Sequence, residues 1–552
     1  MIADIHITEK SFGDKTLMKD VKFSVDDGEK VGVVGRNGVG KSTLFGILSG
    51  KDTDYTGEVI FRRGITVATT AQEHHGLGDQ TVMAYILSGL PEYSKLKKII
   101  DEYPLTMGDN MRKIEEYTQA LERFDQKGFY QVEEKIEREL SNFQLDGFGN
   151  RKISSLSGGQ KRLVEIVKIM HSEAHLALID EPTNHMDYVA KQQFIDWMNS
   201  QPHQAMLIIT HDRDVLGQVD RIVEIKDGQA VSYRGNYDAY LKQNAQATTA
   251  GMNNFEQIEK RIVNLKQKVL DYQRLKEKSR NPGTIQKFKR LENEARAELE
   301  ELLEMEKPTF WIDKESASQL DYKSAERYGK FKSRNIRLSM KDASSRSQHV
   351  LVRAENVAVG ISERILFEDV NIDLREGEAI EIRGRNGAGK TTLIRMILAS
   401  GKSFDGGPIL YSGDIFLDPQ VRIGVYEQEI DERYLSDPLE KAIEKLYMSR
   451  DLSISDTKIR QLLADYLFTD ADRMTPLARL SGGQKARFQI IAMLANDPQL
   501  LILDEPTNHL DLPSIEELET ALAKYSGAIL YVSHDNYFRE KLGGKVVQIG
   551  AE

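Results

Sequence analysis

Two pairs of adjacent carboxylates close apolar runs in this chain: Asp180-Glu181 ends Leu178-Ile-Asp-Glu, and Asp504-Glu505 ends Ile502-Leu-Asp-Glu. Each pair continues into Pro-Thr-Asn-His, one apolar residue and a further aspartate, Asp187 or Asp511. An apolar run of this kind is the pattern of a strand buried on both faces of a parallel sheet, and α/β sheets place their chemistry at the C-terminal ends of such strands. A second doubled pattern lies upstream of each pair. Val31-Gly-Val-Val34 leads into Gly35-Arg-Asn37-Gly38-Val-Gly40-Lys41-Ser42-Thr43 and then a helical run, Leu44–Leu48. Glu381-Ile-Arg leads into Gly384-Arg-Asn386-Gly387-Ala-Gly389-Lys390-Thr391-Thr392. Strand, glycine-rich loop and helix in this order form a phosphate-binding loop. Its glycines let backbone N–H groups close around phosphate oxygens, and the helix N-terminus adds partial positive charge. Lys41 and Lys390 would reach the β/γ-phosphates, and the Ser42 and Thr391 hydroxyls would ligate Mg2+.

A third pair is Leu156-Ser157-Gly158-Gly159-Gln160-Lys161 and Leu480-Ser481-Gly482-Gly483-Gln484-Lys485. Each opens a helix, so serine hydroxyl and N–H groups offer a second anion-binding surface. Taken alone, the pentapeptide could be an ordinary helix N-cap. In both copies, however, the serine stands 23 residues before the first of the paired carboxylates. That fixed placement favours a shared functional unit over an isolated cap.

These residues need two cores to hold them, and 552 residues fit two large domains plus a connector. The expected fold is α/β, with two P-loop domains at 1–240 and 350–552 joined by a helical linker at 241–349. In the linker, Ile258, Ile262, Leu265 and Val269 recur at helical spacing, as do Ile285, Phe288, Leu291, Ala295, Leu299 and Leu302. Ser279-Arg-Asn-Pro-Gly-Thr284 separates the two series with both strong breakers, so the reading is an antiparallel hairpin with its tip near Pro282. Two helices of roughly 25 residues would extend about 40 Å. Between Ile258 and Glu292 there are eleven Lys or Arg against four Asp or Glu, while the whole chain carries a net charge of −11. An acidic protein that concentrates positive charge at a hairpin tip around 278–290 is suited to RNA, where phosphates dominate affinity; a solvated helix face is the plainer reading. Trp311-Ile-Asp-Lys-Glu-Ser reads as a return segment packing on a cassette.

The chain contains no cysteine, which excludes disulfides and thiolate metal sites. No apolar run is long enough to cross a bilayer, and no signal-peptide pattern opens the sequence, which suits a cytoplasmic protein.

With His211 in Ile-Thr-His-Asp and His534 in Val-Ser-His-Asp, these motifs resemble an ATP-binding-cassette ATPase, twice over. The Glu-Pro-Thr-Asn-His-(Met/Leu)-Asp wording, two cassettes on one chain and no membrane segment resemble the ABC-F family in particular. The resemblance implies a soluble, Mg2+-dependent ATPase that binds the ribosome and acts on translation, working as a monomer whose cassettes pair head to tail. It implies that the loop at Lys41 shares its ATP with Ser481, and Lys390 with Ser157. Asp180 and Asp504 would hold Mg2+ through water, Glu181 and Glu505 would orient or deprotonate the attacking water, and His211 and His534 would sense the γ-phosphate. Gln72 and Gln428 resemble the glutamines near the metal and the nucleophile. Phe12 resembles the aromatic that stacks on adenine, whereas Ala358-Val-Gly-Ile-Ser in the second copy offers none, so the sites are expected to be unequal.

The family's linker enters the tRNA-binding space near the peptidyl-transferase centre. Lys278, Arg280, Lys287 and Lys289 are thereby the expected contacts to rRNA or P-site tRNA, as phosphate anchors. Protection of ribosomes from antibiotics is the favoured role, with a housekeeping factor for stalled ribosomes as the alternative. A transporter's ATPase subunit does not account for the long linker, and a DNA-repair ATPase would need coiled coils or zinc modules that are missing here. The interval from Gln72 to Ser157 exceeds that from Gln428 to Ser481, and the excess falls around 91–127. That segment reads equally as a ribosome-contacting arm or as a larger helical subdomain.

Overall fold

A computed structural model describes residues 1–550 apart from 14, 71–78, 109, 185, 306, 319, 321, 339–348, 362–363, 403–406 and 428–429. The chain forms two compact units, one of Met1–Tyr237 with Ile336–Glu552 and the other of Asp238–Asn335.

The first unit holds both cassettes. In the first, the central sheet runs Val67–Thr69, Leu176–Asp180, Ala205–Ile209, Lys30–Gly35, Arg221–Lys226, Gln229–Arg234, all parallel except the last. In the second it runs Ile423–Tyr426, Leu500–Asp504, Ala528–Val532, Ala379–Arg383, Lys545–Gln548, wholly parallel. The two carboxylate-bearing strands are buried at every position, the environment their unbroken apolar runs require. In each cassette the P-loop strand lies one strand away from the carboxylate strand, separated by the strand that leads to the histidine. All three C-terminal ends therefore open on the same edge. A three-stranded antiparallel sheet accompanies each cassette: Lys15–Val25, Ala3–Phe12, Thr56–Phe61 in the first and Arg364–Arg375, Val350–Ile361, Ile409–Leu417 in the second.

Each cassette also carries helices beyond its central sheet. Pro91–Thr106 and Met111–Gln126 form a hairpin tied by Arg123–Glu92 at 3.0 Å near its base and by Tyr103–Glu116 at 3.0 Å near its tip. Tyr93, Phe124 and Phe129 pack at its base with ring centroids 5.4–5.5 Å apart, while Leu105 and Met111 at the tip are exposed. In the second cassette Ile336 is already buried among Leu463, Tyr466 and Leu477, upstream of the expected start at 350. The Arg337 amide donates to the Asp465 carbonyl at 2.9 Å, which fixes this entry.

The second unit is built on a 42-residue helix, Tyr237–Lys278, and a 23-residue helix, Pro282–Glu304. Asn281 caps the second helix by accepting from the Gly283 amide at 3.0 Å, and Pro282 occupies the first turn, where no donor is needed. Leu265, Val269 and Ala295 are buried between the helices with Tyr272, Leu299 and Leu302 beside them. Tyr272 stacks on Phe288 at 6.3 Å. The first helix is much longer than the apolar spacing suggests, because its N-terminal half is buried by other means. Met252 packs with Ile312, Tyr328 and Phe331, and Asn244 donates to the Trp311 carbonyl at 2.8 Å. The Trp311 segment thus packs on the N-terminal part of the linker's own long helix.

Candidate nucleotide sites

The P-loop glycines are required by geometry. Gly40 and Gly389, immediately before the helices Lys41–Leu48 and Lys390–Leu398, both have φ of 100°, which L side chains rarely adopt. A Cβ on Gly35 would lie 2.5 Å from the Ile225 carbonyl oxygen, and one on Gly384 would lie 2.4 Å from that of Ile549. Within each loop the lysine is held over the turn. Lys41 Nζ donates to the Gly35 carbonyl at 2.7 Å, and Lys390 Nζ to the Gly384 carbonyl at 2.8 Å. Burial pushes both ammonium groups down from the usual lysine range, opposed by Glu181 at the first and Glu505 at the second.

At the foot of each loop a hydroxyl meets a carboxylate. Ser42 Oγ donates to Asp180 Oδ2 at 3.0 Å, and Thr391 Oγ1 to Asp504 Oδ2 at 2.7 Å. These hard oxygen donors fit Mg2+, which takes one or two protein carboxylates and completes its shell with water and phosphate oxygens rather than an all-protein cage.

Glu181 and Glu505 stand just beyond the strand ends with φ of 48° and 52°. A non-glycine residue held in the left-handed region costs on the order of 1–3 kcal/mol, and such residues cluster at functional sites. Burial raises the carboxyl of each, Glu505 to about 7, with Lys390 opposing. His211 Nε2 lies 3.5 Å from Glu181 Oε1, and His534 Nε2 lies 3.3 Å from Glu505 Oε1. Burial drives both imidazoles down, His534 to about 3, so they are neutral and these contacts are not ion pairs. The His534 amide donates to Glu505 Oε2 at 3.1 Å, fixing carboxylate and histidine together. A carboxylate poised near neutrality beside a neutral imidazole is matched to taking a proton from water.

Ser157 and Ser481 cap the helices Gly158–His171 and Gly482–Leu494 through complete capping boxes. Each serine oxygen accepts from the amide of Gln160 or Gln484 at 3.3 Å, and the glutamine side chain accepts in return from the serine amide. The cap is thus real in both copies. It leaves the Gly158–Gly159 and Gly482–Gly483 helix ends facing the clefts.

The structure brings each loop together with the opposite serine motif. One cleft, of about 720 Å³, is lined by Asn37, Gly38, Gly40, Lys41, Ser42, Thr43, Asp180 and His211 from the first cassette and by Ser481, Gly482 and Gly483 from the second. The other, of about 790 Å³, is lined by Asn386, Gly387, Gly389, Lys390, Thr391, Thr392, Glu505 and His534 from the second cassette and by Ser157, Gly159 and Gln160 from the first. Aspartates downstream of the paired acids close both junctions. Asp511 Oδ2 accepts from the Asn37 amide at 3.1 Å, and Asp187 Oδ2 accepts from the Asn386 amide at 3.1 Å. Asn37 Nδ2 also donates to the His509 carbonyl at 2.9 Å.

Sequence reasoning gave Asp187 and Asp511 no role, although both close the most strongly repeated stretch of the chain. It also passed over Arg162 and Lys191, which have no matching residue in the other copy and so no repeat to flag them. Gln72 and Gln428 lie outside the described residues. Phe12 ends its strand half-exposed, with Lys10 Nζ 4.7 Å from its ring centroid. Strand register pairs Phe12 with Lys15 in one antiparallel sheet and Ile361 with Arg364 in the other, so Ile361 occupies the position of Phe12. Lys278, Arg280, Lys287 and Lys289 are exposed around the hairpin turn, whereas Arg261, Lys276 and Arg296 farther along the helices are paired with Glu298 or Glu292.

The ABC transporter family model matches residues 18–184 and 367–508, covering both loops and both carboxylate pairs. The chain is 30% identical over 554 residues to the "Uncharacterized ABC transporter ATP-binding protein YfmR" of Bacillus subtilis (strain 168), spanning 98% of this chain and 79% of that one. It is 29% identical to "ABC transporter F family member 2" of Arabidopsis thaliana, across 98% of this chain and 75% of the relative. The chain belongs to the ABC-F family. The "Ribosome protection protein VmlR" of Bacillus subtilis (strain 168) is 27% identical, across 96% of this chain and 83% of that protein. Among solved structures, "RNase-L Inhibitor" superposes with a TM-score of 0.56 at 17% identity, covering 99% of this chain and 88% of that one, a likeness of fold. Like its ABC-F relatives, the chain is an ATP hydrolase with two ATP-binding cassettes.

Proposed function

We propose that this ABC-F ATPase binds the ribosome when its two cassettes close on ATP, holds its linker tip in the tRNA-binding space near the peptidyl-transferase centre, and so protects the ribosome from antibiotics that bind there. The observation that carries this reading is the linker itself. A 42-residue helix would extend about 63 Å at the usual rise. It ends in a turn around which Lys278, Arg280, Lys287 and Lys289 are exposed, on a chain of net charge −11. Positive charge set apart in this way suits phosphate contacts with rRNA or P-site tRNA. The likeness to a ribosome protection protein over almost the whole chain supports the same reading.

In the proposed cycle ATP is bound between Lys41 and Ser481 and between Lys390 and Ser157. Ser42 with Asp180, and Thr391 with Asp504, would hold Mg2+, which would supply charge neutralisation for the phosphates. Glu181 and Glu505 take the proton of the attacking water, and His211 and His534, beside them, sense the γ-phosphate. Hydrolysis releases the clamp, and the tip withdraws. No helix among the described residues is long and apolar enough to cross a membrane, and the proposed place of action is the cytoplasm.

The test is co-sedimentation of the Glu181→Gln/Glu505→Gln chain with ribosomes, with and without ATP. ATP-dependent comigration is the expected result. Comigration with membranes instead, with ATP still bound, would contradict the proposal. Comigration without rescue of translation from drugs of the peptidyl-transferase centre would point to a factor for stalled ribosomes.

A further inference from the structure

We propose that Lys191 of the first cassette is a positioning residue for hydrolysis at the Lys390 cleft, acting across the cassette interface on His534. Lys191 lies in the helix Tyr188–Ser200, one turn beyond its cap Asp187, and is 4% exposed. Its ammonium donates to the backbone carbonyl of His534 at 2.8 Å, a contact from one cassette to the other. It is held there by two carboxylates of its own cassette, Asp214 at 2.6 Å and Asp212 at 3.2 Å. Asn536 Nδ2 reaches back across the interface to the same Asp214 at 2.7 Å.

The His534 peptide is therefore gripped from both sides. Its N–H is taken by Glu505 of the same cassette, and its C=O by Lys191 of the other. With the amide held inside the second cassette and the carbonyl held from the first, the opposite cassette helps set the 3.3 Å approach of the imidazole to the Glu505 carboxylate. Losing a long buried ammonium would leave a donor-free gap beneath the histidine loop, and misplacement of a catalytic group by about 1 Å can cost on the order of a hundredfold in rate.

The arrangement is not repeated at the other cleft. One turn beyond the cap Asp511 stands Ile515, a side chain with no donor, and the position matching Asp214 is Tyr537. The grip thus belongs to one site of a duplicated pair. It ties His534 at the Lys390 site to the opposite cassette through a lysine that the matching position at the other cleft, Ile515, does not supply. The inference rests on the assignment of Glu505 and His534 to hydrolysis, and is independent of the ribosome.

The test uses the full chain with one site silenced at a time. In Glu181→Gln protein only the Lys390 site turns over, and there Lys191→Met is expected to lower kcat by about tenfold or more with KM for ATP nearly unchanged. In Glu505→Gln protein, where only the Lys41 site turns over, the same change is expected to cost clearly less, its remaining effect passing through Asp212 beside His211. Lys191→Arg, which keeps a charged donor, is expected to restore most of the loss. Asp214→Asn, which leaves the lysine but removes its nearest anchor, is expected to give the same bias more weakly and serves if Lys191→Met does not fold. Equal losses in the two backgrounds, or a rise in KM alone, would overturn the proposal in favour of simple interface packing. If Glu505→Gln by itself left the Lys390 site active, the site assignment would fail rather than the role of Lys191.

Discussion

The two clefts carry the same motif residues and steady them differently. At the Lys41 cleft, the turn that carries both acids is braced from within the first cassette, where the Arg162 guanidinium donates to the carbonyls of Asp180 and Glu181. At the Lys390 cleft the matching residue is Ala486, which cannot do this. There the brace comes from across the interface, where Lys191 grips the His534 carbonyl. The antiparallel sheets differ in the same sense, with Phe12 at one strand end and Ile361 at the other. Duplication has kept the motif residues of both clefts and let the scaffold around them diverge. Two sites alike in their motifs need not therefore be alike in rate or in dependence on closure.

The largest effect is expected where the cassettes are locked together. Arg213 Nη1 contacts Glu519 Oε1 at 2.9 Å across the interface, both side chains buried, and removing one partner strands the other's charge. Glu519→Gln is therefore expected to weaken ATP-driven closure by about 3 kcal/mol, raising the ATP concentration for half-closure by about a hundredfold. Fluorescence energy transfer between labels on the two cassettes would measure it, and an unchanged midpoint would show that this pair is incidental. A smaller effect is expected at the base pocket. Base-to-aromatic stacking contributes about 1 kcal/mol, so Phe12→Ala should raise KM for ATP about fivefold when only the Lys41 site turns over. Ile361→Ala should change KM less when only the Lys390 site does. Equal shifts would remove this difference between the clefts.

The chemistry was legible because it is written in local sequence. A P-loop needs glycine where φ reaches 100° and where a Cβ would strike a carbonyl, so Gly40 and Gly35 cannot hide among other residues. The all-parallel strands were legible for a similar reason, since Leu176–Asp180 and Leu500–Asp504 are buried on both faces and tolerate no polar interruption. Side chains whose roles come from the interface were not legible. Lys191 reads as one more charged residue on a helix until folding sets it against His534, and Asp187 acquires its Asn386 partner only through the opposite cassette. The long linker helix was underestimated because residues 238–250 carry no apolar stripe. That stretch is secured by single buried groups, Asn244 among them, against the Trp311 segment.

The most direct test of unequal support is a crossed measurement of single-turnover ATP hydrolysis. Arg162→Ala and Lys191→Met would each be placed in the Glu505→Gln and the Glu181→Gln chains. The predicted pattern is crossed: Arg162→Ala slows the Lys41 site by about tenfold and spares the Lys390 site, and Lys191→Met does the reverse. A parallel pattern, with each substitution slowing both sites alike, would contradict the account and make the two clefts equivalent halves of one machine.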